Sequence, residues 1–150
     1  MSDKPFRYRL QPLIGLRSAE RDALQGDMRR AAAEVEKRGG ELEQLSREIV
    51  AAEGRLRGLL ADGASIAVDE QLRLQGYLDS CRKRREAKRR ELDEASQALH
   101  RVLEQLLAKQ REAKTLEKHR ERQRRDFDQA QARLAHRAAD ELWLRRKRED

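Results

Sequence analysis

The sequence predicts an all-α fold: a long antiparallel two-helix coiled coil, a helical hairpin with a C-terminal helical overhang. Three observations predict it. An apolar seam recurs at alternating steps of four and three residues; it breaks once, near residue 63; and the composition favours helix while leaving little for a globular core. The first stretch of seam runs Leu10, Ile14, Arg17, Arg21, Leu24, Met28, Ala31, Val35, Arg38, Leu42, Leu45, Ile49, Ala52, Leu56, Leu59, apolar at all but three arginines. The second runs Leu74, Leu78, Cys81, Arg85, Lys88, Leu92, Ala95, Leu99, Val102, Leu106, Lys109, Ala113, Leu116, Arg120, Gln123, Phe127, Ala130, Leu134, Arg137, Glu141, Leu144, apolar at two positions in three. A mean step of 3.5 residues keeps a narrow stripe facing one partner only if two helices wrap around each other.

Composition points the same way. Charged residues make up 42% of the 150 and aromatics 3%, against about a quarter charged in ordinary globular domains. Such a chain would be disordered if its apolar residues were scattered. Here they are aligned, and the remainder is rich in Ala, Leu, Glu, Arg and Gln, all strong helix formers.

Both prolines lie by position 12, so the first arm starts at Pro5 or at Pro12, since proline is tolerated only in the first helical turn. The single domain, residues 1–150, then divides into arm one at about 12–61, a turn at about 62–68, and arm two at about 69–147. Gly63 suits the left-handed position after a helix end, and Asp69 is the expected N-cap of arm two. A short turn between long helices makes them antiparallel neighbours, and folding near residue 64 sets residue i opposite about 128 − i. Arm one is exhausted when arm two reaches about residue 120, and later residues overhang or meet only the N-terminal tail. A 45-residue arm spans roughly 70 Å at 1.5 Å per residue. Midway, Arg38, Gly39 and Gly40 fall opposite Lys88–Arg90. Polar seam positions and glycines predict weakened packing there, either as surface glycine or as a hinge.

The net charge of +7 permits acidic partners. Its densest stretch is Arg82, Lys83, Arg84, Arg85, Lys88, Arg89 and Arg90 around the single Glu86, readable as a solvated face or as a binding patch. Catalytic constellations are missing from the pattern. His100, His119 and His136 stand in no metal-ligand spacing, no glycine-rich phosphate loop is present, and a two-helix hairpin offers no cleft to tune a carboxylate pair. No enzymatic activity, cofactor, metal or small-molecule substrate is expected. No stretch approaches the length of a membrane span, no signal-peptide pattern appears, and the lone Cys81 at a seam position fits a cytoplasmic protein.

Four of the five aromatics, Phe6, Tyr8, Phe127 and Trp143, fall at the open end of the hairpin, and only Tyr77 is near the turn. Phe127 is placed to pack on the N-terminal tail. Trp143 sits one residue off the seam: it is either an exposed anchor for another protein or folds back on Phe6 or Tyr8.

The opening Phe6-Arg7-Tyr8-Arg9-Leu10-Gln11-Pro12-Leu13-Ile14-Gly15-Leu16-Arg17 resembles the F-x-Y/F-x-L-x-x-L-L-x-x-R start of the FliJ family of flagellar export proteins. Leu116-Glu117-Lys118-His119-Arg120-Glu121-Arg122 resembles that family's L-E-K-L-x-E-R block, and Asp140-Glu141-Leu142-Trp143-Leu144-Arg145-Arg146 its closing D-E-L-A-L-R-R. Pro12 and the large Trp143 depart from the pattern. The resemblance implies a non-enzymatic part of the flagellar type III protein export apparatus, similar to the central shaft of rotary ATPases. Its open end enters the pore of a hexameric F1-like export ATPase, and it also contacts the cytoplasmic domain of the export gate and the export chaperones. The implied location is cytoplasmic, peripheral at the inner face of the membrane. Phe6, Tyr8, Arg9, Arg133, Arg137, Trp143, Arg145 and Arg146 are the candidates for contact with the ring. Ile66, Val68, Leu72 and Tyr77 are the candidates for gate or chaperone. The alternatives are an injectisome stalk protein, a structural coiled coil that dimerises through its overhang, and a nucleic-acid binder using Arg82–Arg90 and the C-terminal arginines. Acids interleaved beyond residue 110 interrupt the continuous basic track that a nucleic-acid partner requires.

Overall fold

The computed structural model describes residues 5–62 and 67–149. It contains two helices, α1 (Gln11–Asp62) and α2 (Ala67–Glu149), packed as a helical hairpin, with no strand among the described residues. Residues 5–10 precede α1 as a non-helical strap ending in a turn. The helix begins at the second proline for a local reason. The Gln11 N–H donates to the Tyr8 carbonyl at 3.1 Å, and the Leu13 and Ile14 N–H groups donate to the Leu10 carbonyl at 3.0 and 3.2 Å. Pro12 falls among these first-turn positions and has no N–H to leave unpaired. At the other junction Asp69 is not an N-cap. The helix starts two residues earlier, and Asp69 and Glu70 occupy its first turn, where carboxylates favour the positive end of the helix dipole. Gly63 and Ile66 lie outside the described residues, while Asp62, Ala67 and Val68, expected in the turn, belong to the helices.

The contacts divide the hairpin into two compact units, Leu24–Gln105 and the described part of Met1–Ala23 with Leu106–Asp150. In the first unit, Leu45, Ile49 and Ala52 of α1 and Leu78 and Cys81 of α2 form a buried core, flanked by Leu56 and Leu74. Burying the Leu and Ile side chains among these stabilises by roughly 1.5–3 kcal/mol each. Every α1 seam position from Leu24 to Leu59 is buried or half-buried. On α2 the same holds from Leu74 to Val102, except that Arg85 is exposed.

Two of the three polar seam positions of this unit, Arg38 and Lys88, are tied across the helices. Arg38 donates to Glu91 at 2.6 Å and to Glu34 at 2.7 Å, while Lys88 donates to Glu41 at 2.8 Å and Glu91 at 3.0 Å. Arg38, Glu41, Lys88 and Glu91 thus form a closed quartet linking α1 to α2. Glu41 is held below the usual carboxylate range by the hydrogen bond from Lys88, and Lys88 is raised by its bonds to Glu41 and Glu91. Gly39 and Gly40 lie within uninterrupted helix, and a Cβ built on either meets nothing within 4 Å. They have the open surroundings of surface glycines.

In the other unit Leu106 is buried, and Ile14, Ala113 and Leu116 are half-buried. A second quartet recurs here: Arg17 reaches Glu112 at 3.2 Å and Glu20 at 2.8 Å, and Lys109 reaches Glu20 at 3.3 Å and Glu112 at 3.4 Å. Glu20 is depressed, first by the hydrogen bond from Arg17 and then by that from Lys109. Both quartets pair an Arg-x-x-Glu on α1 with a Lys-x-x-Glu on α2, and each motif repeats at an interval of 21 residues, three heptads. All four cross-helix pairs join residues whose numbers total 129, one more than the expected pairing.

Candidate functional site

The open end is built from the strap and the last third of α2. Strap residues alternate, Phe6 and Tyr8 half-buried and Arg7 and Arg9 exposed. Phe6 packs on Phe127 with ring centroids 5.5 Å apart and planes tilted by 55°, and the Arg124 guanidinium lies 5.5 Å from the Phe6 ring centre. Tilted rings at this separation match the preferred geometry of aromatic pairs. The Tyr8 hydroxyl lies 2.8 Å from His119 Nδ1 and donates to the Leu116 carbonyl at 3.4 Å. The strap therefore takes over the cover of α2 where α1 ends.

Beyond Phe127 this cover stops. Every described side chain from Asp128 to Arg148 is exposed, including Leu134 at 56%, Trp143 at 60% and Leu144 at 51%. Trp143 does not fold back on the strap: Phe6 stacks on Phe127 and Tyr8 on His119, while the Trp143 ring carries Lys147 Nζ at 5.1 Å from its centre. The aromatics of the open end are thus not one cluster. Trp143 comes 16 residues after Phe127, roughly 24 Å along a helix. The basic candidates Arg133, Arg137, Arg145 and Arg146 share this bare segment, and Arg9 remains exposed on the strap.

The model of the flagellar FliJ protein family matches residues 6–149, from the strap to the end of α2. The chain belongs to the FliJ family. No curated protein and no solved structure matches it. Membership makes this FliJ-family chain a component of flagellar type III protein export, within a family of structural and escort proteins. Among the described residues no helix is long and apolar enough to cross a membrane, and no cluster of His, Cys, Asp and Glu could hold a metal ion.

The second set of candidates lies where α1 ends and α2 begins. Val68, Leu72 and Tyr77 are exposed at 59%, 62% and 44%, and Ile66 is outside the described residues. Leu60, which the seam did not single out, is equally bare. The Tyr77 phenol is pushed up, chiefly by its hydrogen bond with Cys81. Of the basic run, Arg82 pairs with Glu53 at 3.1 Å and with Asp79, Lys88 belongs to the quartet, and Arg90 pairs weakly with Glu86. Lys83, Arg84, Arg85 and Arg89 face solvent.

Sequence reasoning placed Phe127 under the tail but missed His119 and Arg124 as the strap's other anchors. Neither is on the seam. The alternation Phe6-x-Tyr8-x-Leu10 was the available signal, since it marks an extended segment with one apolar side.

Proposed function

We infer that this protein is the central stalk of a flagellar type III export ATPase, its open end seated in a hexameric F1-like ring. Its turn end is read as the contact with the export gate's cytoplasmic domain and with export chaperones. One observation carries the reading. Beyond Phe127, α2 is a single exposed helix bearing Leu134, Leu142, Trp143 and Leu144 among arginines. A large aromatic held in water gains most from burial against another protein. Arg133, Arg137, Arg145 and Arg146, with Arg9 of the strap, supply orientation against an acidic wall, an effect that weakens with salt, and Phe6 and Tyr8 are the strap's other candidate contacts. The exposed Val68, Leu72 and Tyr77, with Ile66, supply the apolar contact for gate or chaperone.

The decisive experiment is ATPase stimulation by the triple variant Trp143→Ala, Arg145→Glu, Arg146→Glu. These side chains make no contact that the hairpin needs, so helicity should match the wild type while stimulation is lost. Truncating Trp143 alone should cost about 2 kcal/mol of ring affinity if it is a central anchor. Normal stimulation by the triple variant would overturn ring insertion. The overhang's continuing seam, Ala130, Leu134 and Leu144, favours one other reading, self-association. A sedimentation mass of two chains that the triple variant leaves intact would favour it.

A further inference from the structure

Between the strap and α2 lies a cleft of about 730 Å³ whose arginines are not among the proposed ring contacts. Its floor holds Phe6 and Tyr8, and four guanidiniums surround it: Arg7 on the strap and Arg120, Arg124 and Arg125 on α2. Glu121 is the single carboxylate in the lining, and it pairs only loosely with Arg125, at 3.9 Å. Arg124 reaches Asp128 at 3.4 Å and covers Phe6. Arg120 finds only the Gln11 side-chain oxygen, at 3.5 Å. No carboxylate among the described residues lies within ion-pair distance of Arg7 or Arg120. Elsewhere in the hairpin, cations set between the helices are neutralised, as in the two quartets. Here like charges gather from two segments around a recess, Arg124 and Arg125 are met by Asp128 and Glu121, and an anion from outside would relieve the repulsion that Arg7 and Arg120 add.

The strap holds this arrangement in place. Phe6 and Tyr8 are each anchored on α2, so Arg7 is pinned at the edge of the cleft from both sides. The guanidinium fork matches a carboxylate in two parallel hydrogen bonds. The aromatic floor offers apolar area that a small inorganic anion would leave uncovered. The volume falls within the range of sites that enclose a drug-sized ligand, about 300–1,000 Å³, which is several residues of peptide. A phosphate track is interrupted on the same helix by Glu121, Asp126 and Asp128.

We propose that this cleft is a docking site for an acidic protein segment carrying an aromatic or branched aliphatic residue. A carboxylate of the segment sits between Arg7 and Arg120, and its apolar side chain lies on Phe6 and Tyr8. The site is separate from the overhang and shares Phe6 and Tyr8 with the proposed ring contacts, so its test is run without the ring.

The test uses the full-length protein and a fluorescein-labelled hexapeptide of four glutamates, one phenylalanine and one leucine, read by fluorescence anisotropy with no ATPase present. Saturable binding is expected. The double variant Arg7→Glu, Arg120→Glu should weaken it at least about tenfold. The control Lys83→Glu, Arg84→Glu makes the same charge change on an exposed face of the other unit and should leave it within about twofold. Phe6→Ala should remove the advantage of this peptide over one in which glycine replaces the phenylalanine and leucine. Circular dichroism of each variant keeps loss of binding separate from loss of fold. Equal weakening by both double variants would reduce the effect to net charge and overturn the site. So would the absence of saturable binding, or tighter binding of an oligothymidylate that the cleft variant abolishes.

Discussion

Ile49 and Leu144 both lie on the apolar seam, yet Ile49 is 2% exposed and Leu144 51%. The difference lies in what stands opposite. Ile49 faces a second helix whose Leu78 and Cys81 complete a closed core. Leu144 continues an equally regular seam after α1 and the strap have run out. A heptad stripe therefore states that a helix has one face ready for a partner; it does not state that the same chain supplies one. In a family that works inside a larger assembly, the unanswered part of the stripe is the part available for binding.

The largest effect should break this comparison most visibly. Ile49→Ala removes buried methylenes from the tightest part of the seam and should cost about 2–5 kcal/mol in urea unfolding. Leu144→Ala, the same chemistry on the bare segment, should stay within about 0.5 kcal/mol. A comparable loss at Leu144 would mean that the overhang is packed in solution.

Glycine sharpens the contrast within α1. Gly39 and Gly40 are helical, and a Cβ at either meets nothing within 4 Å. Gly39→Ala and Gly40→Ala should each raise stability by about 1 kcal/mol, the helix-propensity difference. Destabilisation by either would revive the hinge.

The smallest effect concerns the quartets and shows in its pH dependence. Glu20 and Glu41 are depressed by their cationic partners, so the folded chain holds fewer protons on them than the unfolded chain in mild acid. Their contribution is present above the ordinary glutamate range, near pH 4.3, and is lost as pH falls through the depressed values. Lys88 is raised, so its contribution is present below the ordinary lysine range and is lost as pH climbs through its raised value. Glu41→Gln should flatten part of the acid limb of a thermal-melt series, and high salt should shrink the whole effect. An unchanged acid limb would leave these contacts without a stabilising role. Exposed pairs of this kind are worth little singly. Their better-attested use is to specify alignment: a one-heptad slip would separate all four cross-helix pairs at once.

The fold was legible because its determinants are local and periodic. Leu42, Leu45 and Ile49 on one arm, and Leu74, Leu78 and Cys81 on the other, declare helix and facing stripe without further information. The pairing rule came from one turn position and fell within a residue of the observed pairing. The site was legible only in part. Trp143 and its neighbouring arginines stood out by type. His119 and Arg124 are ordinary surface residues until a six-residue strap crosses them.

By itself, then, the sequence determined two helices, their antiparallel pairing, and the point beyond which α2 has no helical mate, since heptad phase and chain length depend on neighbours along the chain alone. Tertiary structure alone decided which charges close into quartets, that Trp143 stands apart from Phe127, and that Arg7 and Arg120 line one cleft. Those outcomes depend on where side chains distant in sequence arrive in space. Long flexible cations and a non-periodic strap carry no repeat from which that position can be read.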